Sequence, residues 1–309
     1  MAVFLGIDGG GTQTTCAVGG ESEELARAVG PGSNPIRVGQ ERSRAALLKV
    51  MEQACSLAGV QPRDLQAVCV GMAGGAREHA QEFIRSVVSE FTHASALVVG
   101  DNAIAFETAF GQGPGVIVMA GTGSIAFGRN GAGQTARAGG WGFSISDEGS
   151  AHWIGKAAVS AAMRAHDAGE TTLLVSSMLN TWHLGTRDDV VRFANSMPPP
   201  DFADLFPAVL AVAQEGDALA REILMKSGSE LAQLAKIVIG RLWPSQDPAV
   251  NVAAAGGVLR SSPLVRQVFS NSLRAEFARV ELRPGVVDPV VGALAMARRV
   301  EPERTATSG

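Results

Sequence analysis

In the first third of the chain, short apolar runs alternate with longer amphipathic stretches. The apolar runs are rich in β-branched residues and end at glycine or polar residues, which predicts buried strands. In the longer stretches apolar residues recur three and four positions apart, which predicts helices with one buried face. The predicted strands are 3–7, 12–18, 25–29, 67–72 and 96–99, and the predicted helices are 39–58, 76–90 and 102–110. This order predicts a mixed sheet covered by helices, an α/β unit.

The same order of patterns begins again beyond the glycine-rich segment 111–115, which is the predicted joint between domains 1–112 and 113–309. Two apolar strands again flank a glycine-rich turn. Two such copies predict an internal duplication that encloses a cleft. The further predicted strands are 116–119, 125–127, 133–138 and 251–255, and the further helices are 147–167, 171–181, 187–196, 201–214, 217–242, 263–278 and 288–299.

Composition and charge exclude several classes of protein. The chain has 309 residues and a formal net charge of -4, and its basic residues form no run, so no nucleic-acid partner is expected. No apolar run approaches the ~20 residues that span a bilayer, and the N-terminus has no basic leader, so no membrane partner is expected. Cys16, Cys55 and Cys69 match no zinc or disulfide pattern. We therefore expect a cytoplasmic protein.

A glycine-rich segment, Asp8-Gly9-Gly10-Gly11-Thr12, joins the first two predicted strands. Such a turn exposes consecutive backbone amides, which suit phosphate oxygens, and Thr12 adds a hydroxyl donor. Asp8 at the strand end is placed to hold a water bound to a metal ion. The alternative is a tight turn that needs positive φ, with Asp8 as its cap, and this segment alone does not separate the two.

A second turn, Gly121-Thr122-Gly123-Ser124, stands at the matching place of the second copy. It could again be a plain hairpin turn. Two such turns in duplicated positions instead predict two hairpins that grip one polyphosphate from opposite sides. Neither turn is a Walker A loop, because the chain has no Gly-Lys-Ser/Thr sequence, and no helix follows the first turn as a Rossmann fingerprint requires.

These segments occur in one order with the strand end at Asp101 and the segments 139–142 and 147–151. In that order they resemble the N-acetylglucosamine kinase branch of the BadF/BadG/BcrA/BcrD ATPase family, within the sugar kinase, Hsp70 and actin superfamily. The resemblance covers about 1–300. It implies an α/β duplicated ribonuclease-H-like (actin-like ATPase) fold of two domains, with ATP in a central cleft. It also implies that the last helix, about 288–299, packs back on the N-terminal domain.

The resemblance implies that ATP is bound with Mg²⁺, the ion being held chiefly through phosphates and waters near Asp8. Small residues also permit adenosine to lie against the backbone after the strand 251–255, where a plain strand-to-helix turn is the alternative. The expected nucleotide-binding residues are Gly10, Gly11, Thr12, Gly121, Thr122, Gly123, Ser124, Gly256 and Gly257.

Asp101 follows a predicted strand at the position where open α/β sheets place reactive groups. The resemblance makes it the catalytic base, which accepts the proton of the sugar hydroxyl as that hydroxyl attacks the γ-phosphate. The alternative is a cap of the helix that begins at Asn102. Both roles are compatible.

The expected sugar-binding residues are Asn34, Asp101, Gly140, Trp141, Gly142 and Asp147, all placed there by the resemblance. Trp141 would offer an apolar wall to a pyranose ring, and ordinary core packing is the alternative. Asp147 is expected at the start of a helix, as a cap or as an acceptor for sugar hydroxyls. On the sequence alone, Asn34 is a loop residue before a proline.

The function expected from the resemblance is an ATP-dependent amino-sugar kinase that phosphorylates N-acetylglucosamine at the 6-hydroxyl and works as a homodimer. Glucosamine and N-acetylmuramic acid are alternative substrates. The alternative of another class is a non-kinase ATPase that activates an acyl-CoA dehydratase or reductase. Such activators carry an iron–sulfur cluster on cysteines in the second half of the chain, and this chain has none after Cys69.

Overall fold

The computed structural model describes residues 2–75, 77–245 and 249–300. The chain forms two compact units. The first unit contains the residues up to Gly113 and those from Val287 onward, and the second is Pro114–Val286. The tail 301–309, which the predicted second domain includes, lies outside the described residues. Among the described residues, no helix is both long and apolar enough to cross a membrane.

Each unit contains a five-stranded mixed sheet, with the order β3-β2-β1-β4-β5 in the first and β8-β7-β6-β9-β10 in the second. In each sheet the first three strands along the chain are antiparallel and the last two run parallel to the first. Since order and direction coincide, the predicted duplicated α/β fold is confirmed. The strands are β1 (Val3–Gly9), β2 (Gln13–Gly19), β3 (Glu24–Pro31), β4 (Leu65–Met72), β5 (Ser95–Val99), β6 (Gly115–Ala120), β7 (Ser124–Arg129), β8 (Thr135–Gly139), β9 (Val250–Ala255) and β10 (Val280–Leu282).

Helices connect and cover the strands in both units. Short 3₁₀ turns lie at Pro62–Asp64 and Phe202–Leu205. The helices are α1 (Pro35–Val38), α2 (Gln40–Ala58), α3 (Glu78–Phe91), α4 (Asp101–Phe110), α5 (Ala151–Asp167), α6 (Leu174–Trp182), α7 (Arg187–Ala194), α8 (Phe206–Gln214), α9 (Ala218–Leu242), α10 (Gly257–Ser261), α11 (Pro263–Glu276) and α12 (Pro289–Ala297).

In the first unit, helices cover both faces of the sheet. Side chains of β1 alternate between the faces, so Ile7 packs with α2 and α3 while Phe4 packs with α4 and α12. The backbone of α12 lies directly on β1, since a Cβ on Gly6 would be 2.4 Å from Leu294 N. The last described helix therefore supports the strand that carries Asp8.

In the second unit, the long helix α9 crosses one face of the sheet and contacts β6, β7 and β8. Helices α5, α8 and α11 pack in turn against α9. Small residues permit these close contacts: a Cβ on Gly228 of α9 would lie 2.6 Å from Val265 O of α11. The core is one continuous apolar cluster that joins the sheet to these helices.

One predicted helix, 147–167, begins instead at Ala151. Asp147 and Gly149 both have φ of +79°, a left-handed conformation outside the helical range. Ser150 is the N-cap, and its Oγ accepts a hydrogen bond from Trp153 N at 3.2 Å. The prediction that Asp147 begins this helix is therefore wrong, and so is the alternative that it caps the helix.

Four short elements of the described chain were not predicted, the 3₁₀ turn Pro62–Asp64 being one of them. β10 has three residues and pairs with β9, while α1 and α10 are too short to show a helical period. The predicted helix 201–214 is divided into the 3₁₀ turn and α8. The start of the predicted helix 76–90 falls on Ala76, which lies outside the described residues.

Candidate active site

The turn between β1 and β2 presents two adjacent backbone amides. Gly10 N donates to Gln13 O at 2.9 Å and so closes the turn. Among the described residues, the amides of Gly11 and Thr12 donate to no protein group, and the side chain of Thr12 is exposed. Consecutive amides of this kind form a concavity that binds anions. The turn therefore offers two amides and a hydroxyl to phosphate oxygens.

A buried pair of hydroxyls holds the chain segment after β3 against this turn. Thr14 Oγ1 lies 2.8 Å from both Ser33 Oγ and Pro31 O. Ser33 N donates to Gly10 O at 3.1 Å. Gly32 is required by the close approach, because a Cβ there would lie 2.2 Å from Gly11 O. These contacts were missed from the sequence, since nothing local marks Thr14 or Ser33 as partners.

Asn34 lies next to the first turn, where its backbone N donates to Gly10 O at 3.2 Å. It is buried and is the N-cap of α1, with Oδ1 accepting from Ile36 N at 3.0 Å. Its Nδ2 group donates to no other described residue. The side chain is thereby oriented by its oxygen and keeps an amide donor beside the phosphate-binding turn.

Asp8 and Asp101 lie at the same edge of the first sheet. β4 runs between and parallel to β1 and β5, and its register pairs Asp8 with Gly71 and Gly71 with Val99. The flanking strands β1 and β5 are two strand spacings apart, roughly 10 Å. Both carboxylates are half-buried at the carboxyl ends of parallel strands, where such sheets bind ligands.

Asp101 is the first residue of α4, and the helix is capped by Gly100. The expected helix start at Asn102 is therefore shifted by one residue, and the alternative that Asp101 is the cap is wrong. Asp101 Oδ1 accepts a hydrogen bond from Asn102 N at 2.9 Å, which orients the carboxylate. A carboxylate in the first turn of a helix is also stabilised in its charged form by the exposed backbone amides.

The surroundings of Asp8 fit a metal ion that arrives with a nucleotide. Mg²⁺ in such sites is held by one or two carboxylates together with phosphate oxygens and waters. Within the described ranges, no group of three or more His, Cys, Asp or Glu side chains could hold a metal ion. A single carboxylate, that of Asp8, beside the open amides of Gly11 and Thr12 is consistent with an ion bound through phosphates. The described residues form no metal site made by protein ligands alone.

The turn between β6 and β7 repeats the arrangement in the second unit. Gly121 N donates to Gly123 O at 3.0 Å and closes the turn. The amides of Thr122 and Gly123 donate to no protein group in the described part of the chain. Ser124 Oγ donates to Glu148 O at 2.7 Å. Each unit thus has a glycine turn with two adjacent amides available to an anion.

The buried carboxylate of Asp147 supports this second turn. Its Oδ1 accepts from Ser124 N at 3.3 Å, and a Cβ on Gly123 would lie 2.9 Å from its Oδ2. A non-glycine residue at φ +79° costs on the order of 1–3 kcal/mol, which the surrounding contacts must offset. Asp147 therefore lies against a predicted nucleotide-binding segment as well as beside the predicted sugar-binding loop.

The first turn of α5 is also attached to the second turn. Ala151 N donates to Gly121 O at 2.9 Å, and His152 N donates to Thr122 O at 3.3 Å. The His152 ring lies between Phe143 and Phe202, with centroid distances of 5.1 Å and 5.4 Å. Neither contact has a signal in the sequence, because the partners are distant along the chain.

Gly256 and Gly257 have different surroundings. Gly256 has φ +94°, and a Cβ there would lie 2.3 Å from Ala120 O, next to the second turn. A Cβ on Gly257 would meet nothing within 4 Å. Gly256 is therefore needed by the fold, while Gly257 faces open space beside the same turn.

The predicted sugar-binding loop follows β8. Gly140 and Gly142 have φ of +69° and +96°, and Trp141 between them is 60% exposed, which excludes ordinary core packing. The guanidinium carbon of Arg137 lies 4.2 Å from the centre of the Trp141 ring. One part of the indole is thus covered by a cation, and the glycines place the ring at the surface.

The predicted site residues therefore fall into two groups, one in each unit. Asp8, Gly10–Thr12, Asn34 and Asp101 belong to the first. The turn 121–124, the loop 140–142, Asp147 and the pair 256–257 belong to the second. Their roles in binding and catalysis stay predictions.

Comparisons with known proteins give the family. The model of the BadF/BadG/BcrA/BcrD ATPase family matches residues 5–297. An N-acetylmuramic acid/N-acetylglucosamine kinase of Clostridium acetobutylicum is 29% identical over 303 residues, which are 96% of this chain and 99% of that protein. An N-acetyl-D-glucosamine kinase of Dictyostelium discoideum is 29% identical over 310 residues, 96% and 97% of the two chains.

A solved structure has the same fold over nearly the whole chain. It is that of a candidate N-acetylglucosamine kinase from Chromobacterium violaceum, 26% identical, with a TM-score of 0.75 and coverage of 96% of this chain and 99% of that one. The resemblance stated from the glycine turns, Asp101 and the segments around Trp141 and Asp147 is confirmed. The chain belongs to the BadF/BadG/BcrA/BcrD ATPase family.

Proposed function

We propose that this protein is an ATP-dependent amino-sugar kinase that transfers the γ-phosphate of ATP to the 6-hydroxyl of N-acetylglucosamine. The names of the relatives that match 96% of the chain support this assignment. The observation that carries it is the sheet edge of the first unit, where the Asp101 carboxylate stands at the same edge as Asp8 and the open amides of Gly11 and Thr12.

Asp101 acts as the general base. It accepts the proton of the sugar hydroxyl as that oxygen attacks phosphorus, and the Asn102 amide holds the carboxylate in one orientation. Phosphoryl transfer depends mostly on positioning and on neutralising charge. Asn34 is positioned by its cap hydrogen bond to direct its Nδ2 group at a sugar hydroxyl.

The two glycine turns bind the phosphates of ATP. Gly10, Gly11 and Thr12 act in the first unit, and the segment 121–124 acts in the second. Asp8 would hold Mg²⁺ through water, and the ion would supply neutralisation of the phosphate charge. Gly256 and Gly257 border the adenosine.

The loop after β8 contributes residues that contact the sugar. Trp141 packs against the pyranose, with Gly140 and Gly142 allowing the backbone to approach it, and Asp147 accepts hydrogen bonds from sugar hydroxyls. We further propose, on the family resemblance, that the protein is a cytoplasmic homodimer.

The pair Gly256 and Gly257 offers a matched test of the nucleotide assignment. We expect Gly256→Ala to lower the free energy of unfolding by about 1–3 kcal/mol, because the new Cβ meets Ala120 O at positive φ. Gly257→Ala should leave the thermal midpoint unchanged and weaken ATP binding several-fold. Thermal melting and calorimetric titration with ATP measure the two effects. Wild-type ATP affinity in Gly257→Ala would remove this residue from the nucleotide site.

The reactivity of the cysteines distinguishes the proposed kinase from an iron–sulfur activator. Burial raises the pKa of Cys69 to about 12 and that of Cys55 to about 11, and it also raises the pKa of Cys16. Since the thiolate is the reactive form and the metal ligand, all three thiols should be inert in the folded protein. We expect almost no reaction with a thiol reagent at pH 8, and three equivalents after denaturation.

The raised thiol pKa values also set a pH dependence. The unfolded chain releases these protons from about pH 8.5, while the folded protein keeps them. The free energy of unfolding should therefore fall as pH rises from about 8.5 towards the folded pKa values.

An iron chromophore in the purified protein, or rapid reaction of the native thiols, would favour the iron–sulfur activator over the kinase.

A coupled assay of ADP release tests the proposed function and its substrate. N-acetylglucosamine, glucosamine and N-acetylmuramic acid are supplied separately with ATP and Mg²⁺. We expect the highest kcat/KM with N-acetylglucosamine, and mass spectrometry should find its 6-phosphate. A preference for either other sugar would correct the substrate alone. Equal background rates with all three sugars would refute the kinase assignment.

A further inference from the structure

A second concave surface lies between α5 and α9, apart from the turn 121–124 and the loop 140–142. It is a groove of about 390 Å³, within the range of pockets that bind small molecules. Ala157 and Ala161 line it on the α5 side, and Leu219 and Ile223 line it on the α9 side. The proposed function uses none of these residues.

The charges around the groove are mostly positive. Lys156 and Arg164 come from α5, Lys226 comes from α9, and Glu222 is the one carboxylate in its lining. None of the three cations forms an ion pair with another described residue. In a chain with a net charge of -4, this is a local excess of positive charge. Such a surface attracts anions, and phosphate most strongly where several cations converge.

An aromatic side chain lies among these charges. Trp153 is half-buried in the groove wall, and Lys226 Nζ lies 5.8 Å from the centre of its ring, so side chains of α5 and α9 meet there. Lys156 is three residues after Trp153 and therefore on the same helix face. Ser160 adds a hydroxyl between Lys156 and Arg164, which are about 12 Å apart along the helix. The combination fits a phosphate attached to a ring with an apolar face.

The groove is linked to the second glycine turn by both of its helices. Trp153 directly follows Ala151 and His152, whose amides hold the carbonyls of Gly121 and Thr122. On α9, Ser227 follows Lys226, and its Oγ donates to Gly149 O at 2.8 Å. A ligand that draws α5 and α9 together would therefore act on the segment that supports the turn.

We propose that this groove is an effector site for a phosphorylated sugar, whose phosphate is held by Lys156 and Lys226 and whose ring packs on Trp153. The choice of N-acetylglucosamine 6-phosphate as the ligand rests on the proposed function, because that compound is its product. Occupation of the groove moves the first turn of α5 and lowers the affinity of the 121–124 turn for ATP, which is inhibition by product at a second site.

The test uses calorimetric titration of the full chain with N-acetylglucosamine 6-phosphate in the absence of ATP. We expect two binding events in the wild type and one in Lys156→Gln/Lys226→Gln, the lost event being weakened at least tenfold. Both substituted lysines are exposed, so the fold should be retained, which thermal melting checks. Arg42→Gln/Lys49→Gln, on the exposed face of α2, removes the same charge elsewhere and should keep both events.

A kinetic measurement tests the link to the turn. N-acetylglucosamine 6-phosphate should raise the KM for ATP in the wild type and have at least tenfold less effect in Lys156→Gln/Lys226→Gln, with kcat unchanged. The calorimetry does not depend on catalysis, so failure of the kinase assignment leaves it interpretable. Equal binding by the wild type and the double variant would overturn the proposal. Inorganic phosphate binding the groove as tightly as the phosphosugar would also overturn it, because the ring would then contribute nothing.

Discussion

Asp101→Asn is expected to reduce kcat by about 10²–10⁴-fold while ATP binding is retained, since a general base contributes on that order. The substitution preserves the local structure, because an asparagine Oδ1 can still accept the hydrogen bond from Asn102 N. It removes only the capacity to take a proton at this edge of the sheet. Steady-state kinetics with N-acetylglucosamine and calorimetry with ATP give the two quantities.

Asp167→Asn is the control for this change, because Asp167 is an exposed aspartate at the end of α5. It should have wild-type kinetics. Near-normal turnover in Asp101→Asn would exclude Asp101 as the base. Loss of ATP binding together with turnover would show instead that Asp101 acts in nucleotide binding.

Gly292→Ala is expected to destabilise the first unit by about 1–3 kcal/mol or more, because overpacking at a helix contact forces backbone apart. A Cβ at this position would lie 2.0 Å from Ile104 O and 2.6 Å from Thr108 Oγ1. Thr108 Oγ1 also accepts a hydrogen bond from Gly292 N at 2.8 Å, so α12 and α4 cannot separate without losing it. Denaturant unfolding measures the change.

Gly240→Ala, at an exposed position in the last turn of α9, provides the matched helix substitution. A Cβ there would meet nothing within 4 Å, and alanine is the better helix former by up to ~1 kcal/mol, so the protein should be equally or more stable. If Gly292→Ala were also neutral, α12 would not need its close approach to α4. Kinase activity should fall with the stability of Gly292→Ala, because α12 supports β1, the strand that carries Asp8.

The two glycine-rich turns were predicted correctly in position. The strand-turn-strand segments at Asp8–Thr12 and Ala120–Ser124 could be found because glycine-rich turns between apolar β-branched runs depend on neighbouring residues. The same reasoning failed at Asp147. It was expected to begin a helix, whereas contacts with Ser124 and Gly123 hold it in a left-handed conformation.

Contacts between distant segments could not be predicted. Thr14 and Ser33 are 19 residues apart, and Ser227 and Gly149 are 78 apart, yet each pair is joined by one hydrogen bond of 2.8 Å. A serine or threonine looks the same in the sequence whether it is exposed or buried against a partner. The start of α4 at Asp101 was missed by one residue for the ordinary reason that helix ends are set by a few weak interactions.

By itself, the amino-acid sequence determined the α/β class, the repeated strand-turn-strand plan and the two glycine-rich turns with the chemistry for phosphate. These follow from the period of apolar positions and from the conformational freedom of glycine, both of which act between neighbours. Only the tertiary structure decided which amides remain available, how Asp101 is oriented, that Gly256 but not Gly257 is needed by packing, and that cations of α5 and α9 border one groove. Those features depend on the register of strands and on helix contacts, where side chains far apart in the chain compete for the same space.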